Sequence, residues 1–181
     1  GSRAVISLGT LAQELFTGNT DVALNLPVIP GAEGYTLEMP ANALAGPYTG
    51  AAVTVSTELG SLRVPAGMLT GMENLEGKTA GITIDRFDKS KLPEDIQAAI
   101  GDRAIVSLTL TLNGEQVGWN NPDAPVMVSI PYTPTAEELK NPESIVIWYI
   151  DGSGNAVSVP NGRYVPVTGT VTVSTTHFSQ Y

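Results

Sequence analysis

The chain has 181 residues, 42% of them hydrophobic and only 15% charged, which argues for a folded chain able to bury a real core and against disorder. Its net charge of −9 comes without any block of Lys or Arg, so it offers no basic face for nucleic acid. With no cysteine and one histidine, disulfides and thiolate or zinc sites are excluded.

The Gly1-Ser2 start has the look of a cloning scar ahead of a fragment of a longer protein. A short strand, Ala4-Val5-Ile6-Ser7, then leads to a helix opened by the capping box Thr10-Leu11-Ala12-Gln13 and closed at Gly18. Next comes an internal repeat. Val22 to Leu26 and Tyr35 to Met39 are followed by Pro40-Ala41-Asn42-Ala43-Leu44-Ala45-Gly46. Val53 to Thr57 and Leu62 to Val64 are followed by Pro65-Ala66-Gly67-Met68-Leu69-Thr70-Gly71. Both copies read strand, turn, strand, then a single helical turn with proline first and glycine last, which predicts a repeated hairpin.

Ala80 to Phe87 reads as a strand, and Leu92 to Gly101 as a helix with Pro93 at its start, Glu94 and Asp95 in its first turn and Gly101 at its end. Ala104 to Leu112 alternates as a strand, Asn113-Gly114 is a hairpin turn, and Glu115 to Trp119 returns. After the loop Asn120 to Pro125 comes the strand Val126 to Ile130, and Thr135-Ala136-Glu137-Glu138 is a second capping box. The unbroken apolar run Ile145 to Ile150 predicts a central strand covered on both faces. Ala156 to Val159 and a final strand follow. The sum is an all-β sandwich of about eleven short strands with two or three peripheral helices. It divides either into a repeated-hairpin subdomain, 1–76, and a sandwich subdomain, 77–181, or forms one continuous domain. No apolar run approaches the roughly 18 residues of a membrane-spanning helix.

The end of the chain, Gly169 to Tyr181, carries the most chemistry. Val171 and Val173 alternate with hydroxyl residues as in a half-buried strand. The same alternation sets His177 and Ser179 on one face, with Phe178 between them on the other.

Leu62-Arg63-Val64-Pro65-Ala66, Leu92-Pro93, Val126 through Ser129-Ile130-Pro131-Tyr132, Ile147-Trp148-Tyr149-Ile150-Asp151, and Gly169 to Val173 running into Thr176-His177-Phe178-Ser179 recur in one order. In these motifs the chain from about Gly60 onward resembles a module of Gram-positive bacterial surface proteins, often found beside S-layer-homology repeats. Residues 21 to 71 are similar to its preceding hairpins. That resemblance implies an extracellular, wall- or S-layer-associated structural or spacer module. Its partners would be the neighbouring domains of its own polypeptide, with cell-wall glycan or a surface protein as further candidates.

The tail is also similar, more distantly, to the autoproteolytic sandwiches of the GAIN and UPA type. Carried over, that similarity makes His177 the general base, Phe178 the residue whose carbonyl is attacked and Ser179 the nucleophile. A serine needs a base to take its proton, and neutral histidine suits that task. The cysteines that flank the receptor site are absent, so the leading reading is non-enzymatic and self-cleavage between Phe178 and Ser179 is the alternative.

Two further site readings remain. Asp151-Gly152-Ser153-Gly154-Asn155, helped by Asp85, Asp88 or Asp123, could offer oxygen ligands to calcium, though without the closing glutamate of the full loop pattern a solvated turn is preferred. Otherwise no cofactor is expected. Among the aromatics, Trp119 beside Asn120 and Asn121 is the exposed candidate for stacking a sugar, while Trp148 and Tyr149 lie in the apolar run and read as core.

Overall fold

The structure, a computed structural model, describes residues 2–9, 21–45, 51–103, 105–150, 155–159 and 162–178. The helix expected over residues 10 to 18 and the turn 151 to 154 lie outside the described residues. Thirteen strands are described, and the fold is an all-β sandwich. They are β1 (Ser2–Ser7), β2 (Asp21–Asn25), β3 (Ala32–Pro40), β4 (Ala52–Thr57), β5 (Gly60–Pro65), β6 (Thr79–Arg86) and β7 (Val106–Leu112). The remainder are β8 (Glu115–Val117), β9 (Val126–Pro131), β10 (Ile147–Ile150), β11 (Ala156–Val159), β12 (Arg163–Val165) and β13 (Thr170–Thr175). Two short α-helices, α1 (Glu94–Ile100) and α2 (Ala136–Lys140), are also described.

One sheet has the order β1-β3-β6-β7-β8 and the other β12-β13-β9-β5-β4-β2, with β10 and β11 as a separate ribbon. Burial follows the two-residue period. Val106, Leu108, Leu110 and Leu112 of β7 point inward, as do Val126, Val128 and Ile130 of β9. The two inner faces fit closely, leaving a gap of only about 10 Å³ between residues such as Tyr35, Leu62, Val64 and Ile82. The outer faces carry hydroxyls. Thr36, Thr83 and Thr109 form a row across three strands, and Ser61, Ser129 and Thr172 form another. Thr36 Oγ1 lies 2.7 Å from Thr83 Oγ1, and Ser129 Oγ lies 3.2 Å from Thr172 Oγ1.

Both sheets draw strands from either side of residue 76: β3 pairs with β6, and β5 with β9. The division into 1–76 and 77–181 therefore does not describe the packing, because one core runs through both halves.

The repeat is partly redrawn. Its second copy is a hairpin, β4–β5, closed at Thr57 and Gly60. Glycine is required there, since a Cβ on Gly60 would stand 2.6 Å from the Ser129 carbonyl oxygen of β9. The first copy is not a hairpin. Its β2 pairs in parallel with β4, while β3 crosses to the other sheet and pairs in parallel with β1. Pro27 and Pro30 between β2 and β3 have no N–H to offer a ladder, which suits a crossing and not a tight turn. The two Pro-Ala-x-x-Leu segments nevertheless remain equivalent: Ala41–Leu44 is a 3₁₀ turn, and Met68 N–H to Pro65 O closes the other.

Local signals hold. Asn113 and Gly114 have φ of 51° and 81°, the left-handed pair of a tight hairpin between β7 and β8. Thr135 and Glu138 form the reciprocal capping box of α2. Gly101, at φ 61°, ends α1 with its N–H on Gln97 O.

The run Ile145 to Ile150 is corrected. Among the described residues β10 pairs only with β11, so it does not stand there as a central strand. Ile147 faces the sandwich core, and Ile150 faces a second cluster with Leu92 and Ile100 beneath α1. Val146 and Trp148 are exposed at 50% and 41%. The final strand divides into β12 and β13 around a turn at Gly169 (φ 64°).

Candidate functional site

The terminal strand β13 lies between β12 and β9, with Val171, Val173 and Thr175 buried. At its end the ladder gives way to a loop. The Thr175 hydroxyl donates to the His177 carbonyl at 2.6 Å, and the Asn121 N–H donates to the Thr176 carbonyl at 3.0 Å. His177 forms an antiparallel bridge with Asn120. Asn121 holds the loop in shape. Its Oδ1 accepts from the Asp123 N–H at 3.1 Å, and its Nδ2 donates to the Met68 carbonyl, also at 3.1 Å.

His177 and Phe178 turn to different neighbours, as strand alternation predicts. The imidazole meets the Tyr149 ring edge-on, with centroids 4.8 Å apart at 69°. The Phe178 ring packs on Trp119 at 4.8 Å and 48°. Ser179 lies outside the described residues, so His177 and Phe178 are the members of the trio that can be placed. Each is half-buried against an aromatic partner from a distant part of the chain.

Trp119 is not the exposed aromatic that its place beside two asparagines suggested. It is 7% exposed, and its indole N–H donates to the Met68 carbonyl at 2.8 Å. That carbonyl belongs to the single turn that follows β5, so Trp119 ties the second repeat copy to the C-terminal segment. Trp148, read from its run as core, is the exposed tryptophan. A continuous apolar run hides which residues face outward; the ribbon's alternation puts Ile147 and Tyr149 on one side and Trp148 on the other.

Two of the acids proposed as calcium helpers, Asp85 and Asp88, have other tasks. Asp85 accepts a two-pronged guanidinium contact from Arg3, with Arg3 Nη2 at 2.7 Å. Asp88 caps a 3₁₀ turn by accepting from the Ser90 N–H at 3.0 Å, and its hydrogen bonds to Ser90 hold its carboxyl below the usual range. Among the described residues no three His, Asp or Glu side chains gather as a metal-binding group.

Sequence reading missed a second feature, a cleft of about 300 Å³ between β10, the end of α1 and the end of β9. Isoleucines line its wall, and Arg103, Tyr132 and Glu138 form a polar corner. The Tyr132 hydroxyl donates to Glu138, whose oxygens lie 2.6 and 2.8 Å away, and accepts from Arg103 Nε at 3.3 Å. The Tyr132 ring is met edge-on by Tyr164. Burial, and then the bond to Glu138, push the Tyr132 hydroxyl above its ordinary value. The same bond, more than any other contact, holds Glu138 below the ordinary carboxylate range. The capping box placed Glu138 at the start of α2, but nothing in the sequence joined it to Arg103, 35 positions upstream.

Comparison with protein-family models, with curated proteins and with solved structures returns no match.

Proposed function

We propose that the chain is a non-enzymatic structural module of a bacterial surface protein, extracellular and associated with the cell wall or S-layer. The observation that carries this reading is the use made of the terminal segment. Its imidazole packs on Tyr149, its phenyl ring packs on Trp119, and its backbone is tied to Asn120 and Asn121. The imidazole that a self-cleaving module would use as its base, and the phenyl ring next to it, here join β13 to β10 and to the loop after β8. The rows of hydroxyls on both outer faces, in place of apolar side chains, further support a spacer between domains. The surface location rests on the resemblance of the ordered motifs from Leu62 to Ser179.

Intact mass of protein continued beyond Tyr181 tests the reading. One uncut mass is expected. A split after Phe178 that Ser179→Ala abolishes would replace it with self-cleavage, in which His177 takes the Ser179 proton and the hydroxyl attacks the Phe178 carbonyl. Antibody raised against the domain should also label intact source cells, and label confined to lysed cells would remove the surface assignment.

A further inference from the structure

We propose that the cleft beside β10 is a saccharide-binding site, with Trp148 as its stacking face and Arg103, Tyr132 and Glu138 as its hydrogen-bonding corner. This does not depend on the module being structural, since a spacer and a binding module can share one fold.

A pyranose ring has two kinds of surface, apolar C–H faces and a rim of hydroxyls that both donate and accept. The cleft is divided the same way. Ile100, Ile105 and Ile150 give it an apolar wall, and Trp148, on the same side of β10 as Ile150, stands 41% exposed beside them. The Trp148 N–H has no hydrogen-bond partner among the described residues. At the corner a carboxylate acceptor, a phenol and a guanidinium stand together, with Arg103 Nη2 3.9 Å from Glu138, beyond hydrogen-bond reach. That nitrogen therefore keeps donor capacity for a ligand.

Charge argues against other ligand classes. Arg103 and Glu138 offset one another, so neither an anion nor a cation meets a net attraction at the corner. A wholly apolar ligand would strip water from three polar groups and return no hydrogen bonds, a desolvation cost without compensation. A ring bearing hydroxyls satisfies the corner and still covers the isoleucines. About 300 Å³ is the small end of the range for small-molecule sites, which suits one or two rings. Mostly apolar lining with a few convergent polar groups is the usual make-up of such sites.

Isothermal titration of the full chain with chitobiose, cellobiose and maltose, each to about 10 mM, tests the proposal, with decanoate as the alkyl-chain probe. Saturable binding of at least one disaccharide is expected. It should vanish in Trp148→Ala, weaken by about tenfold or more in Arg103→Gln, and largely survive in Trp148→Phe, which keeps a ring. Unchanged urea midpoints for the three variants would assign these losses to the site. No heat from any disaccharide, heat from decanoate alone, or disaccharide binding retained in Trp148→Ala would overturn it. Because the intact-mass test reads another part of the molecule, failure here leaves that result standing.

Discussion

The Leu69 amide donates to the Leu44 carbonyl at 2.9 Å, so the two copies of the repeat meet through their equivalent leucines. Both side chains are fully buried. Each follows a strand of a different sheet, β3 for Leu44 and β5 for Leu69, so the contact closes one end of the sandwich from both sides.

Leu44→Ala and Leu69→Ala should therefore each cost about 2–5 kcal/mol, the range for a deleted core leucine that leaves a cavity. Urea denaturation checks this. The double variant should depart from the sum of the singles by about 0.5 kcal/mol or more, as expected of residues in contact. Strict additivity would show that the two turns are energetically separate.

Trp119→Phe should destabilise the protein by about 1 kcal/mol through loss of the indole bond to the Met68 carbonyl. Asn121 Nδ2 also donates to that carbonyl, so Trp119→Phe with Asn121→Ala should cost more than the two singles together. Phe178→Ala should remove the aromatic pair, worth about 0.5–1.5 kcal/mol beyond the area it buries. Thermal melts of the set check all three.

Gly114 sits at φ 81° with nothing within 4 Å of a built Cβ, so Gly114→Ala meets backbone strain and no clash. A cost of about 1–2 kcal/mol is expected for one residue forced left-handed. Gly118 is equally open but lacks the positive φ, and Gly118→Ala should change stability by less than about 0.5 kcal/mol. Equal effects at both positions would show that the hairpin does not need its left-handed pair.

Glu138 has a folded pKa below its unfolded value, so its contribution to stability is present above the ordinary carboxylate pKa of about 4.3. It is lost as pH falls through the depressed value. Tyr132 is shifted upward, so its contribution is present below about pH 10 and lost as pH rises further. The melting-temperature difference between wild type and Glu138→Gln should thus be largest between about pH 5 and 9 and shrink in acid. A difference that persists undiminished well below pH 4 would mean that the carboxylate charge is not what matters.

What the sequence made legible was local. Asn113-Gly114, the Thr135–Glu138 capping box and the Gly101 helix end each depend on residues within four positions, and each stands as expected. The alternation that turns His177 and Phe178 to opposite sides was legible too, but their neighbours Tyr149 and Trp119 come from 28 and 59 positions away. Non-local pairing was the hidden part. The parallel partners of β1 and β2 leave no trace in strand patterning, so the first repeat copy reads as a hairpin. The two tryptophans exchanged roles for a related reason. Asn120 and Asn121 look like solvated loop residues, whereas Asn121 bonds the turn at Met68 and draws Trp119 inside. The run around Trp148 is apolar throughout because its ribbon serves two separate cores, and a uniform run conceals that Val146 and Trp148 face out.

The most direct measurement is native-state hydrogen exchange across residues 171 to 176, read against β7 and β9 in the same protein. Protection in β13 equal to that of its neighbour β9, and lowered by Phe178→Ala, is the expected result for a strand locked in place by its end. Exchange at the rate of an unstructured chain, with β7 still protected, would contradict it.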